Sequence, residues 1–121
     1  MDYEFGDCAI FAVLLAKHTG YGLRALVEYD TSLETTVLIH AFVRKDKDTI
    51  IDCTGETSIA HILDKYSWFE EPVEIEISDM ELIRLNYGTT EPDWQIAAKD
   101  VSRFMAGKTI VCSNTLGLRL D

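Results

Sequence analysis

Apolar residues occupy every position from Cys8 to Ala16, a run of nine. This predicts a helix over residues 7–18 that is buried nearly all round, with Asp7 at the N-cap, Cys8 in the first turn and Gly20 as the stop. Residues 23–29 read as a strand. Thr36–Arg44 is rich in β-branched and aromatic side chains and reads as a second strand, Lys45–Asp48 as a polar turn and Thr49–Cys53 as a third strand, so that the last two form a hairpin. Thr57 is positioned to cap a short helix over Ser58–Tyr66. Val73–Ile77 alternates strictly, as a strand with one wet face does, while Asp79–Leu85 fits helix or strand equally. A final helix begins near Thr89 or Thr90, takes Pro92 in its first turn and ends at Gly107, with Trp94, Ala97, Ala98, Val101, Phe104 and Met105 on one stripe. Thr109–Ser113 reads as a closing strand. The pattern predicts an α+β fold, a buried N-terminal helix on an antiparallel sheet, in one domain over residues 1–121.

Charge changes this picture in one respect. Eleven Lys and Arg stand against 21 Asp and Glu, a formal net charge of −10. That excludes direct nucleic-acid binding through a basic stripe and argues against an anionic membrane surface. The nine-residue apolar run is too short to span a bilayer, and the acidic residues before it are unlike the positive start of a secretory signal. The three cysteines, at positions 8, 53 and 112, form no C-x-x-C pair. A cytoplasmic protein with free thiols is the expectation.

Cys8, His40 and Asp52 together carry the candidate chemistry. A cysteine in the first turn of a helix meets the positive end of the helix dipole and unpaired N–H groups, both of which favour thiolate. A strand histidine can serve it as general base and then general acid. A carboxylate beside the histidine selects its tautomer and stabilises the imidazolium. The register that opposes His40 to Asp52 also opposes Arg44 to Asp48 across a three-residue loop, Lys45–Lys47, and puts the two side chains on one face roughly 5 Å apart at Cβ. A one-residue slip separates them. Cys53 then faces the other way, into the core.

The segments Gly6-Asp7-Cys8-Ala9-Ile10-Phe11-Ala12, His40-Ala41-Phe42-Val43 and Ile51-Asp52-Cys53-Thr54-Gly55 resemble papain-like cysteine peptidases in compact form. The resemblance covers Gly6 to Gly55. It implies a papain-like core and a catalytic triad, with Cys8 as nucleophile, His40 as its partner and Asp52 orienting His40. Such folds host peptide, isopeptide and amide hydrolysis and acyl transfer. Papain-like enzymes often place a Gln before the cysteine as an oxyanion donor. Here the sole Gln is Gln95, so the expected donors are the Cys8 N–H and a side chain near the N-terminus such as Tyr3.

The expected function is therefore a small thiol hydrolase or acyltransferase acting on a protein or peptide substrate. The alternative is a non-catalytic acidic protein that retains the fold and binds a basic partner, for example a phage or mobile-element inhibitor. The acids of Glu70–Glu81 read as a solvated face, or as the surface such a partner would meet. A dimer through Trp94, Ala98, Val101 and Met105 is a third expectation. No cofactor is called for, and no Cys and His pair has metal-ligand spacing. His18 and His61 read as surface residues, Gly20-Tyr21-Gly22 lacks the strand a phosphate loop needs, and Trp68-Phe69 reads as a hydrophobic anchor.

Overall fold

The computed structural model describes residues 1–4 and 6–112. Its elements are α1 (Cys8–Thr19), β1 (Gly22–Asp30), β2 (Thr35–Arg44), β3 (Thr49–Asp52), β4 (Gly55–Ser58), α2 (Ile59–Lys65), β5 (Val73–Glu76), α3 (Asp79–Tyr87) and α4 (Trp94–Met105). The five strands form one antiparallel sheet in the order β4-β3-β2-β1-β5. Among the described residues no helix is long and apolar enough to cross a membrane.

The alternation of side chains along the strands separates two layers. Ala25, Val27 and Ala41 pack with Ala9, Ala12 and Val13 of α1, and Val43 with Ile10, Phe11 and Leu15. Leu26, Phe42 and Ile50 point the other way, onto Ile62 and Tyr66 at the end of α2. Helix α1 is thus covered by the sheet on one side and by α3 and α4 on the other, which explains its lack of a polar face over Cys8–Val13. It ends as expected at Gly20, whose φ of 76° is the left-handed conformation of a helix stop.

Several expectations are corrected. Ser58, not Thr57, caps α2 by accepting from the His61 N–H, and Thr57 lies in β4. Strand β4 escaped the pattern because Gly-Glu-Thr-Ser has no apolar face to show; it is placed by a tight turn in which Asp52 pairs with Gly55 at φ 109°. Asp79–Tyr87 is a helix because the Ser78 hydroxyl accepts from the Glu81 N–H and donates to its carboxylate. Asp93 caps α4 in place of Thr89 or Thr90. Residues 109–112 are not a strand; the Cys112 carbonyl accepts from Tyr3 and Glu4 N–H groups without building a ladder. Ser113 lies outside the described residues.

The hairpin register also differs. Val43 opposes Ile51 and Arg44 opposes Ile50, two residues away from the expected pairing. The loop moves to Asp46–Asp48, closed by the Lys45 N–H on the Thr49 carbonyl at 3.0 Å. The Asp46 carboxylate selects this turn by accepting from the N–H groups of Asp48 and Thr49 at 3.0 and 2.9 Å. A shift of two preserves the face of every side chain, so His40 and Asp52 stay together and become diagonal rather than directly opposed.

Phe11 joins α1 to α4, its ring 5.3 Å from Phe104 and 4.8 Å from Tyr3 between centroids. Replacing Phe11 by Ala is expected to lower the unfolding free energy by about 3–5 kcal/mol. Replacing exposed Met80 by Ala is expected to change it by less than about 0.5 kcal/mol. Urea denaturation checks both.

Candidate active site

Cys8 opens α1 and is 5% exposed. Asp7 holds the N-cap position but makes no side-chain cap, and its backbone (φ −117°, ψ 20°) is not the extended form that turns a cap side chain back on the helix. Its carboxylate instead accepts from the Asp2 N–H at 3.0 Å and the Tyr87 hydroxyl at 2.9 Å. Among the described residues, the first turn of the helix carrying the thiol is thus left without a side-chain cap.

His40 lies in the middle of β2, opposite Leu26. The next pair is Val27 with Leu38, so Ile39 is an extra residue and the strand bulges immediately before the histidine. Bulges re-aim neighbouring side chains. The ring is 1% exposed and flanked by Tyr66 and Phe42, with centroids 5.2 and 6.2 Å away. Its Nε2 lies 2.8 Å from Asp52 Oδ2. The other Asp52 oxygen accepts from the Thr54 N–H at 2.9 Å and the Thr54 hydroxyl at 2.6 Å. Asp52 is 3% exposed. Burial opposes its charge, but the hydrogen bond from His40 and those from Thr54 hold its pKa below the ordinary carboxylate value. An ionised carboxylate only accepts, so Nε2 carries the proton and Nδ1 is the basic nitrogen of the neutral ring.

Nδ1 is buried and has no hydrogen-bond partner among the described residues. Cys8 is a further neighbour that acts on the ring. Burial disfavours the charged imidazolium, but Asp52 and then Cys8 outweigh it, and the pKa of His40 is pushed up to about 9. The thiol therefore acts on the ring without completing a hydrogen bond to Nδ1.

Cys8 opens onto a cleft of about 240 Å³, bounded by Glu4, Gly6, Leu38, Ile39, Tyr66, Trp68, Phe69 and Asn86. The bulge contributes Leu38 and Ile39, and the chain after α2 contributes Trp68, which is 65% exposed at the rim. A larger depression of about 710 Å³ lies between β2 and α3, lined by Thr35–Leu38, Glu81, Arg84, Leu85 and Asn86. It has no thiol or imidazole, so the smaller cleft is the one that joins shape to chemistry. Sequence reasoning missed Tyr66, Asn86 and Thr54 as site residues. For Thr54 a signal was present, since a threonine two positions after an aspartate is the pattern of an Asx turn.

Tyr3 is corrected as an oxyanion donor. It is 1% exposed, and its hydroxyl donates to the Asp100 carboxylate on α4, away from the cleft. Cys53 faces the core as expected, packed with Phe11 and Val43, and burial pushes its thiol pKa well up. The Cys112 thiol donates to the Cys53 carbonyl at 2.8 Å. His18 and His61 are exposed. Of the α4 stripe, Ala97 and Val101 are buried against α1, whereas Ala98 and Met105 face outward. Comparisons with protein-family models, with curated proteins and with solved structures return no match.

The buried pair makes stability depend on pH. The raised pKa of His40 stabilises the fold fully below about 6.5, its ordinary value, and that contribution is lost as pH rises towards about 9. The lowered pKa of Asp52 contributes above the ordinary value of 3.8 and is lost as pH falls through its depressed folded value. The thermal midpoint is therefore expected to fall between pH 6.5 and 9, and Asp52→Asn to flatten that slope. Calorimetry across the range checks it.

Proposed function

We propose that the protein is a thiol hydrolase or acyltransferase of papain-like type, with Cys8 as nucleophile, His40 as proton carrier and Asp52 as its orienting carboxylate. The observation that carries this reading is the arrangement around one ring. His40 is held through Nε2 by a buried carboxylate at 2.8 Å, its Nδ1 is left unpartnered, and a helix-start thiol acts on the ring. A buried nitrogen with no partner costs free energy, and a proton delivered by the thiol satisfies it.

The chemistry follows in two steps. Below about pH 9 the His40 ring carries a proton on both nitrogens, so Cys8 attacks from a thiolate–imidazolium pair: the sulfur bonds to the acyl carbon and the carbonyl π pair moves onto oxygen. The intermediate collapses with loss of the amine, to which Nδ1 gives its proton. Water or a second amine then attacks the thioester with His40 as base, and Cys8 leaves. The cleft is small and largely apolar, which suits an acyl group bearing one aliphatic or aromatic side chain.

Iodoacetamide at about pH 6 distinguishes an activated thiol from ordinary ones. Cys8 is expected to be alkylated faster than Cys53 and Cys112, both of which burial pushes up in pKa. An activated ester of an N-acyl phenylalanine is expected to leave an acyl adduct on Cys8, visible by intact mass. His40→Ala is expected to slow its formation by at least ~10²-fold. Equal labelling of the three thiols, or adduct formation by Cys8→Ala at the original rate, overturns the reading.

A further inference from the structure

Cys53 and Cys112 take no part in the chemistry proposed for Cys8, and they lie together. Cys53 packs in the apolar cluster around Phe11 and Leu15, and Cys112 packs against that same cluster. Cys8 belongs to a different one, with Ala9 and Val13. The Cys112 Sγ lies 2.8 Å from the Cys53 carbonyl oxygen. Bond lengths put a carbonyl oxygen about 2.4 Å from its own Cα, so this sulfur is within about 5 Å of the Cys53 Cα. That is the range a disulfide needs, since it joins Cα atoms roughly 4.4–6.8 Å apart. Both backbones are also held in place. Cys53 occupies the two-residue turn between β3 and β4, closed by the pairing of Asp52 with Gly55. The Cys112 carbonyl accepts from the N–H groups of Tyr3 and Glu4 at 2.6 and 3.2 Å. The two thiols affect one another as well. Burial pushes both pKa values up; contact with Cys112 adds to the rise at Cys53, and contact with Cys53 opposes it at Cys112.

We propose that Cys53 and Cys112 are a reversible disulfide site, a redox clasp that joins the turn after Asp52 to the segment before Cys8. The oxidant is a low-molecular-weight disulfide such as oxidised glutathione. Cys112 is partly exposed whereas Cys53 is 4% exposed, so Cys112 reacts first. It loses its proton and its sulfur attacks one sulfur of the reagent, and the first glutathione thiolate leaves. Cys53 then loses its proton and attacks the Cys112 sulfur, and the second glutathione thiolate leaves. Two protein thiols give up two protons and two electrons, and one oxidised glutathione becomes two reduced ones. Cys8 stays a thiol throughout. The bridge spans positions 59 apart in the chain, and closing so long a loop takes much conformational freedom from the unfolded state.

The test is incubation of the folded protein with oxidised glutathione at about pH 8, where an ordinary thiol is partly ionised, followed by intact mass and by peptide mapping without reduction. The expected product is lighter by about 2 Da, the two hydrogens removed. Its map joins the peptides of Cys53 and Cys112, and Cys8 is still alkylated by iodoacetamide. The thermal midpoint is expected to rise by at least about 5 °C, and dithiothreitol to reverse both changes. Cys112→Ser is expected to abolish the mass loss and the rise. Cys8→Ala removes the acyl adduct of the proposed function and is expected to leave the bridge unchanged, so the two proposals stand or fall separately.

A bridge that contains Cys8 overturns the proposal. So does a glutathione adduct on Cys112 that never resolves into the bridge, an unchanged mass, or a bridge that forms only after unfolding in urea. A bridge that lowers the thermal midpoint also overturns it, because strain of that kind means that the two backbones are not held at bridging distance. Should Cys112→Ser not fold, the pairing mapped in the unaltered protein decides.

Discussion

The contact between His40 and Asp52 constrains the rest of the structure. Both side chains are almost inaccessible to water, at 1% and 3% exposure. Desolvating two ionisable groups is costly, and a buried pair adds little net stability over an apolar one of similar shape. Its worth lies in geometry, because removing either partner strands a buried charge. The surrounding structure is arranged to keep the pair whole. The β2–β3 register retains both on one face, Thr54 binds the second carboxylate oxygen, and Tyr66 from the end of α2 closes over the ring. The bulge at Ile39 turns the strand where the thiol has to approach.

Much of this was legible in the chain because it rests on local pattern. An unbroken apolar run and a glycine stop delimit α1. The β-branched stretch around His40 marks β2, and parity alone puts Asp52 on the side of His40 and Cys53 on the other. What was not legible depends on partners distant in sequence. A capping aspartate at position 7 cannot be seen to be engaged by a hydroxyl 80 residues later. Tyr3 near the thiol in sequence cannot be seen to belong to Asp100, 97 residues on. The loop register turned on which of several acids formed the turn, and Asp46 was decided by two backbone donors rather than by residue type. Tyr66, Trp68 and Asn86 reach the cleft from elements with no local mark of chemistry.

The segment before Cys8 shows how far the site depends on remote contacts. Tyr3 is tied to α4 through Asp100, Asp7 and Gly6 to α3 through Tyr87 and Asn86, and Tyr3 and Glu4 to the Cys112 carbonyl through their N–H groups. No regular element forms there among the described residues, yet the thiol's approach is set by these bonds. A thiol placed in this way is held from the chain before it as well as by the helix after it. The proposed chemistry needs rigid support of this kind.

The acids of β5 have a consequence of a different kind. Glu74 is not a solvated residue; it lies between Arg24 at 2.7 Å and Arg44 at 2.8 Å, and so ties β5 to its neighbour β1 and, across it, to β2. Glu76 stays out in water, 3.1 Å from Arg24. Strand β5 is an outer strand of the sheet, with one margin unpaired among the described residues. Short outer strands that carry charge resist pairing with a further chain, since a second copy would bring like charges together. The same acids that lower the net charge thus guard the sheet against edge-to-edge aggregation, independently of any chemistry at Cys8.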